Sequence, residues 1–244
     1  MPPLRDVAFL YEGRESQDFQ QSGGRLTRWI KSIAFARQAR ALLRHVGHDP
    51  EHVLDFACGS GLFTRCLGDS LPAAQVVGSD FHDDPPTDLS DRAYQPLHAL
   101  DAEQGKYDLV LAMHVLEHDD DALGLLRRIA SQAAPGATIV VEVPNIDCVW
   151  AGVFGRAWDA WYLPFHRSHF SSASLRGLVT AAGLEIRNDY PVCLPSMGRS
   201  LANLFGADKG LLFLLIGIAL HPLQWAGERL SGRPSALRFI LRKP

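Results

Sequence analysis

The feature that most restricts the fold is a run of nine residues, Val53-Leu54-Asp55-Phe56-Ala57-Cys58-Gly59-Ser60-Gly61. An apolar segment of strand character goes straight into a glycine turn, and a helical pattern over 62–71 follows at once. Gly59 and Gly61 let the backbone turn sharply and come close to a ligand, because neither has a Cβ in the way. The free amides at the start of the next helix then point at any anionic group placed there. Strand, tight turn and helix in that order are the mark of α/β sheets that bind ligands at the carboxyl ends of their strands.

The rest of the chain repeats the alternation. Strand-like segments lie at 52–57, 74–80, 107–115 and 137–143, with a weaker one at 94–101 and two late ones at 184–189 and 236–242. Helical patterns lie between them. The first runs over 25–46, with Leu26, Trp29, Ile30 and Ile33 on one face. Another, over 119–133, opens with three acids that suit the positive end of a helix dipole and is stopped by Pro135-Gly136. A third, over 171–182, opens on two serines as candidate caps. The pattern predicts one α/β domain over 1–244, with a mostly parallel sheet covered by helices on both faces. Residues 144–170 interrupt the alternation with Trp150, Phe154, Trp158, Trp161, Tyr162, Phe165 and Phe170. An acceptor pocket and a plain hydrophobic cap over the sheet are both open readings of this insertion.

Charge narrows the function. The formal net charge is −3, but residues 51–198 hold nine Lys/Arg against twenty Asp/Glu. Nucleic acid does not lie across such a centre, since phosphate binding needs clustered cations. Residues 199–244 hold seven Lys/Arg against two Asp/Glu. This basic end either faces an anionic membrane or is solvated surface. Within it the run 211–220, LLFLLIGIAL, is apolar all round, and His221-Pro222 is expected to limit it. Ten residues do not cross a bilayer. Either this segment gives a peripheral membrane contact through 211–226, or it is a core helix or a contact between copies. The four cysteines form no metal or disulfide pattern, and the first residues show no apolar leader core. A cytoplasmic chain, with or without membrane association, is the expectation; oligomeric state stays open.

Asp80 lies 19 residues beyond Gly61, at the end of the second strand, where a carboxylate can accept both ribose hydroxyls. A dinucleotide fingerprint needs a third small residue, and here Gly61 is followed by Leu62, Phe63 and Thr64, which argues against a nicotinamide or flavin enzyme. His114, His118, His166 and His169 are candidate proton acceptors, since an imidazole titrates near pH ~6.5. His114, at the end of the fourth strand, and His166, in the aromatic insertion, carry the expectation of catalysis. His114, Glu117 and His118 have metal-ligand side chains, but His114 falls on the strand rather than on a shared helix face, so no metal is expected.

These motifs together resemble a known family. VLDFACGSG is similar to motif I of the class I S-adenosylmethionine-dependent methyltransferases, D-x-G-x-G-x-G, with Ala57 where the first glycine is usual. VVGSD, HALDA, YDLVLAMHVLEH, APGATIVVEVPN and HRSHFSSASLRGLVTAAGLEI follow in the order seen in its ubiquinone-biosynthesis-like small-molecule branch. The resemblance implies a Rossmann-like seven-stranded, mostly parallel sheet with one antiparallel C-terminal strand at 236–242. It implies S-adenosylmethionine as cofactor, with Asp55, Ala57, Gly59 and Gly61 around its methionyl and ribose parts. Asp80 and Phe81 would flank ribose and adenine, Asp101 and Ala102 the adenine edge, and Met113 and His114 the sulfonium. It further implies a helical lid over 1–46, an acceptor-side insertion over 144–170 and an apolar helical segment over 199–235. The expected activity is methyl transfer to a small-molecule acceptor, such as a lipid-linked or glycan precursor. The alternative is a catalytically inactive S-adenosylmethionine-binding partner protein of the same fold.

Overall fold

The computed structural model describes residues 25–90, 93–100, 102 and 104–244. Residues 1–22, read from the sequence as irregular, and the first part of the expected lid lie outside the described residues. In chain order the elements are α1 (Arg25–Val46), β1 (His52–Phe56), α2 (Leu62–Ser70), β2 (Gln75–Ser79), α3 (Leu97–Leu100) and β3 (Tyr107–Met113). Then come α4 (Ala122–Gln132), β4 (Ala133–Pro144), α5 (Val149–Phe154), α6 (Ser172–Ala181), β5 (Glu185–Val192), α7 (Met197–Phe205), α8 (Leu211–Ser231) and β6 (Ala236–Arg242).

The sheet has the order β2-β1-β3-β4-β6-β5. β1 pairs in parallel with β2 and β3, and β3 with β4; β6 runs antiparallel between β4 and β5. The antiparallel strand at 236–242 is therefore as the resemblance implied, but among the described residues the sheet has six strands, not seven. The missing strand is the segment at 94–101. It makes one bridge, Gly78 to Tyr94, and then turns into α3. The Leu97 amide bonds the Asp80 carbonyl, and the chain coils from there.

Side chains alternate along each strand, so the sheet makes two cores. Leu54, Phe56, Val110, Ile139, Val141 and Phe239 face α4 and α6. Val53, Leu109, Leu111, Val140 and Ile240 face the other way, onto Ala39, Leu42 and Val46 of α1 and Leu67 of α2. The second half of α1 is thus a layer of the core. Helix ends are set by local chemistry. Asp121 caps α4 by accepting from the Gly124 amide at 2.8 Å, two residues later than the three-acid start suggested. Ser171 and Ser174 form a reciprocal cap on α6. Pro222 does not end the apolar helix: α8 continues through it to Ser231, stopped only by the left-handed Gly232.

Because β1 to β4 are parallel, their carboxyl ends emerge along one edge. Ala57, Asp80, His114 and Asn145 follow those ends, and the site is assembled there.

Candidate functional site

The turn after β1 is built from left-handed residues. Ala57, Gly59 and Gly61 have φ of 60°, 55° and 75°. The Cys58 amide bonds the Ser79 carbonyl at 2.9 Å and the Gly61 amide bonds the Cys58 carbonyl at 3.0 Å, so β2 holds the turn in place. Gly61 is the N-cap of α2 and offers no side-chain cap, which leaves the first amides of that helix available to a ligand. Ala57 carries the strain of this arrangement, since a Cβ disfavours the left-handed region.

Two carboxylates brace the turn in different ways. Asp80 Oδ2 accepts from the Gly59 amide and Oδ1 from the Phe81 amide, each at 2.7 Å. Burial raises its pKa, against the two amide bonds. Each oxygen keeps a lone pair for a further donor. Asp55 points below the turn and accepts from Thr64 Oγ1 of α2 at 2.6 Å. Burial pushes its pKa up to about 7. It ties strand to helix rather than presenting a free carboxylate. Phe81 is largely exposed, at 69%. Asp101 lies outside the described residues, and Ala102 beside it is exposed. Met113 is half-buried at the end of β3. The loop after β2 folds back over the turn: Leu89 packs on Gly61 and Gly78, and Asp88 pairs with Arg28 and with Arg65 (2.8 Å to the latter).

At the end of β3, His114 is also left-handed (φ 59°), and its amide bonds the Glu142 carbonyl at 2.8 Å. Its ring lies between two buried carboxylates, Nδ1 at 3.2 Å from Glu117 and Nε2 at 3.0 Å from Glu142. Arg238 of β6 closes the chain on Glu142, with Nε–Oε2 of 2.7 Å. Burial opposes charge on the imidazole, but hydrogen bonds to Glu117 and Glu142 outweigh it and push the pKa up to about 10. His114 is therefore an imidazolium at neutral pH and does not have the lone pair that a base needs. Glu117 was weighed from the sequence only as a metal ligand, and Glu142 and Arg238 were not singled out for the site.

His166 sits in the opposite environment. Its Nδ1 donates to the Ala160 carbonyl at 2.8 Å, which leaves Nε2 with the lone pair, 4.0 Å from Glu117 Oε1. Burial lowers its pKa to about 4. His118 crosses its ring edge-on at 4.8 Å between centroids, and burial lowers its pKa too. Glu117, His118 and His166 offer ligand atoms within 4.8 Å of one another, and Glu117 Oε2 has no hydrogen-bond partner. These three, rather than the His114, Glu117 and His118 set considered from spacing, are the residues that could hold a cation.

The insertion is a loop closed at its neck by the pairing of Asn145 with Phe170. The amides of Arg167 (2.6 Å) and Ser168 (3.0 Å) bond the Glu117 carbonyl, which hangs the loop on the end of β3. Trp158, Phe165 and Phe170 are buried, and Tyr162 stacks on Phe165 at 4.9 Å. Half-buried Trp161 and Tyr162 remain near His169 and His166, at 5.2 and 5.3 Å between ring centroids.

Comparison with known proteins agrees with this geometry. The methyltransferase domain family matches residues 26–188. The chain is 27% identical over 177 residues to a ubiquinone biosynthesis O-methyltransferase of Azorhizobium caulinodans, covering 63% of this chain and 69% of that protein. It is 33% identical over 131 residues to the protein of that name from Xanthomonas campestris, covering 48% and 54%. The chain thus spans just over half the length of the Xanthomonas relative. Among solved structures, a Burkholderia thailandensis 1,6-didemethyltoxoflavin-N1-methyltransferase with bound S-adenosylhomocysteine superposes with a TM-score of 0.56 at 18% identity, over 100% of this chain and 92% of that one. A SAM-dependent methyltransferase from Archaeoglobus fulgidus does so with a TM-score of 0.54 at 19% identity, over 98% and 100%. At these identities the structures speak for the fold.

Two predictions follow from the strained ends of β1 and β3. Ala57→Gly removes a left-handed cost of about 1–2 kcal/mol and adds chain entropy of about 0.5–1 kcal/mol. The variant should gain up to about 1 kcal/mol in urea unfolding, and a loss would show that Ala57 is not strained. His114→Gln should cost about 1.5 kcal/mol at pH 6, the low end for bonds to charged groups because the side chain is one-third exposed. The folded pKa of His114 is raised, so its stabilisation is complete below pH ~6.5 and is lost as pH rises towards about 10. The stability gap between the two proteins should therefore narrow from pH 7 to 10; a constant gap would rule out the charged state.

Proposed function

The chain belongs to the methyltransferase domain family, and from that premise we propose how its site carries out S-adenosylmethionine-dependent transfer of a methyl group to a small molecule. The observation that carries the reading is the left-handed turn Ala57 to Gly61 with the Asp80 carboxylate fixed on its amide. S-adenosylmethionine supplies a methyl on a sulfonium, already activated, with a neutral leaving group. Gly59, Gly61 and the free amides of α2 suit its amino-acid end, Asp80 its ribose hydroxyls and Phe81 its adenine. Ala102 and Met113, with Asp101, complete the same edge by their place in the chain.

The acceptor is a small molecule bearing a hydroxyl, lipid-linked or a glycan precursor. The relatives named as O-methyltransferases support oxygen as the methylated atom, and the histidines support it independently. A hydroxyl must lose its proton as the new O–C bond forms. His166 is neutral at pH 7, and its Nε2 is held bare by the bond from Nδ1 to Ala160. The proton passes to that nitrogen, and the nearby Glu117 carboxylate stabilises the imidazolium that results. His114 acts as a fixed positive charge at the end of β3. The half-buried Trp161 and Tyr162 give the acceptor an apolar wall, and an approach to a membrane through 211–226 supplies it.

Calorimetric titration with S-adenosylmethionine, followed by transfer of a labelled methyl to a panel of phenols, polyprenylated phenols and sugars, tests this. Binding without turnover on any acceptor would favour an inactive binding partner instead. Asp80→Ala should weaken cofactor binding by about 1–3 kcal/mol through the lost hydroxyl contacts. Equal affinity would remove the ribose assignment. His166→Asn should lower kcat by about 10²–10⁴ while leaving cofactor affinity within about twofold. Unchanged turnover would exclude it as the proton acceptor.

A further inference from the structure

Helix α8 is built inside out. Its buried positions include Gly217, Gln224 and Glu228, and the last two are polar. Its exposed positions up to Trp225 are apolar. Leu211, Leu215, Ile218 and Trp225 fall within about 80° of arc at about 100° per residue, a stripe along the first four turns that ends at exposed Arg229. Leu212 (66% exposed), Leu223 (59%) and Leu230 (89%) widen it on one side. At the tip of the α7–α8 hairpin, Leu204 and Phe205 add to it, the latter 71% exposed. An ordinary surface helix turns its apolar stripe to the core and its polar face to water. Here the 21-residue helix has a mean hydropathy of 1.4 over its most apolar window, of which 17% is buried.

The polar face is accounted for. Gln224 donates to Glu228 at 2.8 Å and to the Leu194 carbonyl, and Glu228 accepts from the Ser235 amide at 2.9 Å. These bonds lash α8 to the ends of β5 and β6. The two helices of the hairpin cross where Gly198 meets Gly217, with no room for a Cβ on Gly198 against the Phe213 carbonyl. The hairpin is therefore rigid and fixed, and its leucines are held outward.

We infer that the outer face of the α7–α8 hairpin docks on an anionic lipid bilayer, lying in the plane of the interface. This deepens the reading of a lipid-linked acceptor and rests on it. Charge selects lipid as the occupant. Arg229 lies over the Trp225 ring at 5.7 Å, which pairs a cation with an interfacial aromatic at the edge of the stripe. Arg199 and Lys209 share the single Asp159 carboxylate and so leave one positive charge between them, Arg233 follows the end of α8, and of the two acids in 199–244 Glu228 is buried and Asp208 is exposed beside Lys209. The lashings at Gln224 and Glu228 keep the helix on the domain, so it lies on the bilayer and does not cross it. Docking also orients the site. Ser200 accepts from the Asp159 amide, Asn203 donates to the Ala157 carbonyl, and Lys209 pairs with Asp159, so α7 is bonded directly to the aromatic insertion. An acceptor held in the membrane would meet the site beside this cap.

The test is co-sedimentation of the full chain with vesicles of phosphatidylcholine alone and with about 30% phosphatidylglycerol. The expected result is binding to the anionic vesicles, several-fold weaker on the neutral ones and weakened by 0.5 M salt by roughly the loss of a few charge contacts. The triple variant Leu211→Gln, Leu215→Gln, Ile218→Gln should lose binding by roughly tenfold or more, and Arg229→Gln by a few-fold. Absence of vesicle binding by the unaltered chain, or equal binding by the triple variant, overturns the inference. So does light scattering that shows a dimer abolished by the triple variant without vesicle binding, which would make the face a contact between copies. Titration of the triple variant with S-adenosylmethionine should be unchanged. A chain that docks on vesicles and does not bind the cofactor would fail the functional reading and not this one.

Discussion

A protonated imidazole held between two buried carboxylates is the interaction on which the site depends. His114 links Glu117, one turn further on, to Glu142 of β4, and Arg238 of β6 balances the second carboxylate. Two negative and two positive groups thus share one buried line across three strands. Removing either buried member, Glu142 or Arg238, leaves an uncompensated charge and typically costs about 3–5 kcal/mol, more than the loss of the partly exposed His114. The geometry around it follows. His114 takes a left-handed conformation to aim both ring nitrogens at carboxylates, and the chain then coils through Leu116–His118. The Glu117 carbonyl, brought forward by that turn, receives the amides of Arg167 and Ser168 and so fixes the end of the aromatic insertion.

What the sequence made legible and what it hid divide along a physical line. The periodicity of α1 and the aliphatic run of β6 are local properties, and both elements have the predicted bounds. The glycine turn was equally legible, because Gly59 and Gly61 are needed for its shape. Ala57 was not: the sequence shows only an alanine where the first glycine is usual, and the backbone alone shows that it is left-handed. The strand expected at 94–101 makes one bridge to Gly78 and then coils into α3, so its apolar residues are buried by a helical turn rather than a strand. Glu142 and Arg238 are buried charges in aliphatic strands, 96 residues apart. Their meaning appears only when β4 and β6 pair in register, which no local pattern encodes. The one available signal was a charged residue in the middle of each strand that the alternation expects to be buried.

The C-terminal hairpin shows the same division. A ten-residue apolar run ending at His221-Pro222 looks too short for a membrane and limited by its proline. In the fold Pro222 lies within a helix that goes on for nine more residues, and the second half carries the polar anchors. The apolar run and the anchors lie on opposite sides of one helix, so composition alone mixes two signals that geometry separates. The hairpin also lies beyond residue 188, where the family match ends. The family match covers the glycine turn and the ends of β1 to β4, and the outward leucines lie outside it.

His114 and His166 have opposite surroundings, and the proposed chemistry rests on that contrast. His114 has a carboxylate on each nitrogen and stays charged; His166 gives one proton to a carbonyl, is buried among aromatics and stays neutral. Groups of one type pushed apart in this way take different roles. A cation at the end of β3 cannot accept a proton, whereas the neutral imidazole of His166, about six pH units below it in proton affinity, keeps the lone pair that can. Glu117 stands between them. One of its oxygens is bonded to His114 and lies 4.0 Å from His166, and the other has no partner. That carboxylate already holds one imidazolium, and it is placed to stabilise a second when the proton arrives. The charge that fixes the end of β3 and the charge that would form at His166 therefore draw on the same buried group, which couples the shape of the site to its chemistry.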